Sequence, residues 1–279
     1  MIKDVLIPIT NTAGDANALA SAIALATHAD ARLNVLEFVN LPLPPSGPWG
    51  SGDFQLGDIY TKCRIDAETD AVAWRQRLAR EPISTEVRVI ECIFTDSANQ
   101  ASRHAHCSDL IVMTMATGIL GDTSIISDFF TSLLLETGRP LLLVPPNVAW
   151  RPAKHVVVAW RPTREATRAL HDAMPLLRGA ESIDVLEVDQ EGDKECDASA
   201  PGGCIVAHLG HHGLTARVVP CQSGGKSIAS SLIKHAQDTN ADLLVAGGYG
   251  HSRFREWVLG GATRDLLSGT SSVPILFSH

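Results

Sequence analysis

The sequence predicts an α/β protein built from two tandem five-stranded, mostly parallel sheets flanked by helices. Three observations lead there. The chain has 279 residues, 45% of them hydrophobic and 19% charged, enough to fill two ordinary cores rather than one. Short β-branched or Leu-rich runs alternate with longer helical patterns, the signature of βαβ units around a buried parallel sheet. The chain also repeats itself. Val5-Leu-Ile-Pro8 is matched by Val156-Val-Val-Ala159, and Val35-Leu-Glu37 by Val185-Leu-Glu187, at an offset of about 150 residues. Asp109-Leu-Ile-Val112 then matches Asp242-Leu-Leu-Val245, and Pro140-Leu-Leu-Leu143 matches Pro274-Ile-Leu-Phe277, at about 130. An offset that changes once confines the length difference to one place, between the second and third strands.

In the first half, strands fall near Lys3–Pro8, Arg32–Val39, Thr85–Ile90, Leu110–Met113 and Pro140–Val144, with helices near Asp15–His28, Asp58–Arg80, Ser97–Cys107 and Ile125–Thr137. The Pro- and Gly-rich segment 41–52 resists both regular structures and reads as a loop over the second strand, a candidate lid. Pro145–Pro152 lacks periodicity and is the expected linker, so the domains are 1–146 and 153–279. The second half repeats the pattern with strands near His155–Ala159, Ser182–Val188, Leu214–Val219, Asp242–Ala246 and Val273–Phe277. Its helices lie near Arg164–Arg178, Gly203–His212, Ser227–Thr239 and Gly260–Ser268, after an acidic, small-residue segment at Asp189–Gly203.

Composition excludes several classes of partner. Lys and Arg total 23 against 31 Asp and Glu, a net charge of −8, so no basic footprint exists for nucleic acid or an anionic membrane. No stretch approaches the roughly 20 apolar residues of a membrane span. Asp4 and the short apolar run beside it give no signal peptide. The six cysteines show no CxxC and no compact framework, which predicts reduced thiols and a cytoplasmic setting.

Chemistry concentrates after the fourth strand of the second half, in the segment from Gly247 to Leu267. In an open parallel sheet, ligands sit beyond the carboxyl ends of the strands. Gly247 and Gly250 let the backbone approach a ligand, and Gly260 and Gly261 open a helix whose free N–H groups favour phosphate. The spacing Gly247-x2-Gly250-x9-Gly260 resembles that of the universal stress protein family, and the resemblance covers essentially the whole chain as two copies. It implies the adenine nucleotide alpha hydrolase-like (HUP-type) fold, with the halves packed as a pseudo-dimer and the final strand as a pairing edge. It also implies a site for ATP or another adenine nucleotide, with or without magnesium. The implied contacts are Ala159 and Val188 about the adenine, Gly247, Gly250 and His251 about the ribose and phosphates, and Gly260, Gly261, Ala262 and Thr263 about the terminal phosphates. Gly261 stands where that family carries a hydroxyl, and Arg161 where the first strand often ends in an acid. The first half, Met113 to Thr123, has lost the spacing outright, so no nucleotide is expected there by this route.

Three other patterns weigh less. Gly224-Gly-Lys-Ser227 lacks the glycine a P-loop needs at Pro220, and Ser227 is better read as a helix cap. His208-Leu-Gly-His211 closes a helix instead of following a first strand, which argues against nucleotidylyl transfer. Cys204, His208 and His211 share one helical face, with His212 alongside, but without an assured fourth ligand no metal is assigned. No Ser, Cys or carboxylate pair stands in a catalytic signature. The expected function is thus a non-catalytic stress-response protein that binds a nucleotide in its second half, with intramolecular domain pairing, homodimerisation as an option and an unidentified protein partner. The alternatives are a nucleotide-independent docking module with a vestigial glycine loop, and a slow ATPase or nucleotidylyl transferase.

Overall fold

The computed structural model describes residues 1–42, 53–93, 96–116, 121–189, 201–248 and 271–279. The first half runs β1 (Asp4–Pro8), α1 (Asp15–Ala29), β2 (Arg32–Leu41), α2 (Asp53–Leu78), β3 (Thr85–Ile93), α3 (Ser97–Ala105), β4 (Leu110–Thr114), α4 (Asp122–Glu136) and β5 (Leu141–Val144). The second continues with β6 (His155–Ala159), α5 (Arg164–Leu177), β7 (Ser182–Val188), α6 (Pro201–His211), β8 (Ala216–Cys221), α7 (Ile228–Asp238), β9 (Leu243–Gly247) and β10 (Ile275–Ser278). The expected lid beyond residue 42, most of the acidic segment and the helix expected at 260–268 lie outside the described residues.

The ten strands of the described residues form one sheet in the order β3-β2-β1-β4-β5-β10-β9-β6-β7-β8. Within each half every pairing is parallel. The halves meet where β10 runs antiparallel to β5, Ile275 opposite Leu143 and Phe277 opposite Leu141. The expected pairing edge is therefore the seam, and the two sheets are one. Phe130 of α4 seals it edge-on against Phe277, ring centroids 5.2 Å apart.

Strand alternation sorts the core into two layers. Val5, Ile7, Val35, Val156, Val158 and Val185 face α1, α5 and α6 on one side, while Leu6, Leu36, Met113, Leu143, Val157 and Leu186 face α3, α4 and α7 on the other. Helices on both faces explain why these strands read as continuous apolar runs. α4 inserts Ile126, Phe129, Phe130, Leu133 and Leu134, all buried, at helical spacing. The length difference between the halves sits where the changing offset puts it, in the 26-residue α2 against the 11-residue α6. Several expected boundaries shift, among them β3, which runs on to Ile93, α4, which begins at Asp122, and β8, which spans Ala216–Cys221. β2 continues through Leu41, which is buried and carries the strand into what reads as loop, and α2 begins at Asp53 rather than Asp58. Ser227 does cap α7, its hydroxyl accepting from the Ser230 amide at 3.1 Å.

The connection at 145–152 is fastened down rather than loose. The Asn17 side chain of α1 donates to the Pro145 and Val148 carbonyls, both at 2.8 Å. The Trp150 amide donates to the Ser21 hydroxyl at 3.1 Å, and the Trp150 ring is buried against α1 beside His28. Asn17→Ala removes two bonds from partly buried carbonyls and is expected to cost about 2 kcal/mol. The check is a lower urea midpoint at unchanged slope; a change within about 0.5 kcal/mol would mean the strap is held elsewhere.

Candidate functional site

Ala159, Val188 and Gly247 end the adjacent parallel strands β6, β7 and β9, so these three expected contacts meet at one carboxyl edge. Between β6 and β9 the chain winds in opposite directions, the switch point at which open sheets form their ligand crevice. Gly250, His251, Gly260, Gly261, Ala262 and Thr263 lie outside the described residues. Val188 is buried and Ala159 partly so. At the same edge Asp189 adopts a left-handed conformation, φ 49°, and its carboxylate accepts from the Ser223 amide at 2.8 Å. The Ser223 side chain first, then its amide, with help from the Arg161 charge, hold the Asp189 carboxyl below its ordinary range. Arg161 thus brings a cation to the crevice where the sequence comparison looked for an acid.

Gly247 has a structural cause visible in the packing. A Cβ there would lie 2.6 Å from the Ala166 nitrogen and 2.6 Å from the Glu165 carbonyl carbon, so the end of β9 meets the α5 backbone with no room to spare. The repeat places Thr114 at the equivalent strand position of the first half, and there the sizes are exchanged. Gly14, just before α1, gives up its side chain, and a Cβ on it would overlap the Thr114 hydroxyl. One close helix–strand approach is met by glycine on the strand in one half and on the helix side in the other.

The first half builds a different device at its own switch point. Asp15, 5% exposed at the start of α1, accepts from the Thr10 amide at 2.9 Å, the Thr10 hydroxyl at 2.8 Å and the Thr12 amide at 3.2 Å. Burial raises its pKa to about 6 against the pull of those donors. Beyond Thr10 opens a cavity of about 430 Å³ at the ends of β1 and β2, between α3 and α4. The sequence predicts no nucleotide in this half, and its available signal for this grouping is a pair of hydroxyls followed by an acid at a helix start.

Acids recur at repeat-equivalent positions within β2 and β7, buried in the first and partly buried in the second. Glu37 in β2 is 1% exposed, and its carboxylate accepts from the Trp74 indole N–H at 2.8 Å. Burial pushes its pKa up to about 7, opposed by that bond and reinforced by Asp70 and Asp15. Glu187 in β7 is raised by burial as well, and one of its oxygens has no hydrogen-bond partner. Here α6 brings Gly202 where a Cβ would approach that oxygen to 2.7 Å, and among the described residues no tryptophan answers it. The signal for both residues was an acid repeated inside apolar runs, Val-Leu-Glu.

The histidines assemble differently from the face read off the sequence. His208 pairs with His212, ring centroids 4.8 Å apart, and with His171 of α5 at 5.4 Å, whereas Cys204 and His211 stand exposed. Burial first, then the neighbouring imidazoles, lower the His208 pKa. Among the described residues no group of three His, Cys, Asp or Glu side chains is arranged to hold a metal ion. The five described cysteines are free thiols, and no described helix is long and apolar enough to cross a membrane. Toward the amino ends of β6, β7 and β8, Asp184 is fully buried among Arg217 at 2.6 Å, His235 at 3.0 Å and His155 at 3.5 Å. It lies far along the strands from the crevice and serves to tie β7, β8 and α7 together.

No family model and no curated protein matches the chain. Solved structures do. A universal stress protein from Archaeoglobus fulgidus DSM 4304 superposes with a TM-score of 0.74 at 18% identity, over 99% of this chain and 95% of that one. A functionally unknown protein from Pseudomonas aeruginosa PAO1 superposes at 0.55 and 14% identity, over 99% and 92%. At these identities the likeness is one of fold, and it extends across both halves.

Proposed function

We propose that this chain is a tandem universal stress protein whose second half binds ATP or a related adenine nucleotide without turning it over. One observation carries the reading. Ala159, Val188 and Gly247 converge at the β6–β9 switch point, and the chain leaves that crevice directly into the segment that contains Gly250, Gly260 and Gly261. Adenine would lie between the ends of β6 and β7, and the terminal phosphates would meet the amides of Gly260 to Thr263, with magnesium neutralising their charge. Arg161 adds a positive charge at the rim of a chain that is otherwise net acidic. The first half, whose Thr114 fills the place of Gly247, serves in this reading as the structural partner.

A second reading, a nucleotide-independent docking module, draws on the packing of Gly247. The α5 backbone alone demands a glycine there, so its presence needs no ligand.

Calorimetric titration of magnesium ATP and of AMP separates the two, with an aliquot denatured to release any co-purified nucleotide. Saturation near one equivalent, lost in Gly250→Val with the circular dichroism spectrum intact, is the expected result. Neither binding nor retained nucleotide would leave the docking reading, and sustained product formation by the purified protein would overturn binding without turnover.

A further inference from the structure

The first half has a cavity of its own, and we propose that it is a binding site for a small organic cation with an apolar, ring-sized body, a ligand class distinct from the nucleotide of the second half. The cavity, about 430 Å³, falls in the size range of small-molecule sites. Its walls are Ile9 and Phe38 from the strand ends, Ala98 from α3, and Ile125 and Phe129 from α4. Phe38 and Phe129, both largely buried, pack against each other at a tilt of 60° with centroids 5.7 Å apart and give the cavity an apolar, aromatic back wall.

The polar groups decide the sign of the ligand's charge. Thr10 spends both its amide and its hydroxyl on Asp15, and the Ser97 hydroxyl is bonded to the Asn40 side chain, so neither is free to hold a phosphate. Among the described residues no Lys, Arg or His lines the cavity. Among the described lining residues the one charged side chain is Asp128, exposed at the rim, and no ion pair among the described residues engages it. A second carboxylate, Asp15, lies immediately behind Thr10. An anion entering this space would meet a like charge at Asp128 and only neutral donors, the Asn11 and Asn40 carboxamides, whereas an ammonium group would meet the Asp128 carboxylate with its apolar body against the cavity wall.

The test uses the full chain and two probes with the same ring and opposite charge, tryptamine and indole-3-acetate. Each is titrated by calorimetry and by methyl NMR on Ile9, Leu41, Ala98 and Ile125. Tryptamine is expected to shift these methyls saturably and to bind about fivefold to tenfold more tightly than indole-3-acetate. Asp128→Lys, a surface substitution that leaves the core untouched, is expected to abolish or invert that preference. ATP is expected to leave the four methyls unmoved, which keeps the outcome separate from that of the second half. No methyl shift at millimolar tryptamine, equal binding of the two probes, or a preference unchanged in Asp128→Lys would each overturn the proposal.

Discussion

Gly247→Ala is expected to destabilise the protein by about 3 kcal/mol, a large effect for one methyl group. The new Cβ would stand 2.6 Å from two backbone atoms of α5, and backbone cannot turn aside as a side chain can. Relief requires α5 to withdraw from the sheet, taking Ala166, Ala169, Leu170 and Ala173 out of their packing. The matching contact in the first half should behave differently. Gly14→Ala would strike the side chain of Thr114, so Thr114→Gly in the same chain is expected to recover part of the loss, a coupling that a double-mutant cycle reads directly. No equivalent partner exists for Gly247. Denaturant melts of the four variants and the parent make the comparison, and a Gly247→Ala protein as stable as the parent would refute the packing account. The same reasoning makes Gly250→Val, and not a change at Gly247, the right probe of nucleotide binding, because loss of binding at Gly247 would be confounded with movement of α5.

Glu37→Gln is expected to stabilise the protein above pH 7 by about 2 kcal/mol and to flatten its stability between about pH 4.5 and 7. The folded pKa, about 7, is raised from the ordinary 4.5, first by burial. Between those values the folded state holds a proton that the unfolded chain has released, so stability falls as pH rises through the window. Below it the acid is neutral in both states and the penalty vanishes. Above it the penalty is complete. Asp15, raised to about 6, adds to the same downward slope at the acidic end. Glutamine removes the charge and keeps an oxygen for the Trp74 indole, whereas Trp74→Phe strands the carboxyl and should weaken the fold at every pH. Urea titrations at pH 5 and pH 8 suffice, and a Glu37→Gln variant that keeps the parent's pH dependence would mean that the burden lies on another group.

Most of the fold could be read from the residues because its strands are buried on both faces. Val5–Pro8 and Val156–Ala159 announce themselves as apolar runs, and the repeat doubles every signal. Boundaries slipped where a strand outlasted its apolar run, as at Leu41. The seam was anticipated as an edge, but its merging of the halves into one sheet depends on how β5 and β10 oppose each other, which no local pattern encodes. Of the candidate nucleotide site, the sequence supplied the strand-end residues Ala159, Val188 and Gly247, and the fold brings them to one edge. The cavity of the first half was invisible for the opposite reason. Ile9, Phe38, Ala98 and Phe129 come from four separate elements, and only tertiary packing brings them around one space. Glu37 was conspicuous as an acid in an apolar strand, yet its partner Trp74 lies a whole helix away.

The seam between β5 and β10 also sets an order of events during biosynthesis. Leu141–Val144 leaves the ribosome about 130 residues before Ile275–Ser278, an interval of roughly 7 to 26 seconds at ordinary elongation rates. Throughout that time a four-residue, wholly apolar strand edge has no neighbour from its own chain. The nascent first half is therefore adhesive along the line where the finished protein is closed, and two chains on neighbouring ribosomes could join there before either has made the strand that belongs to it.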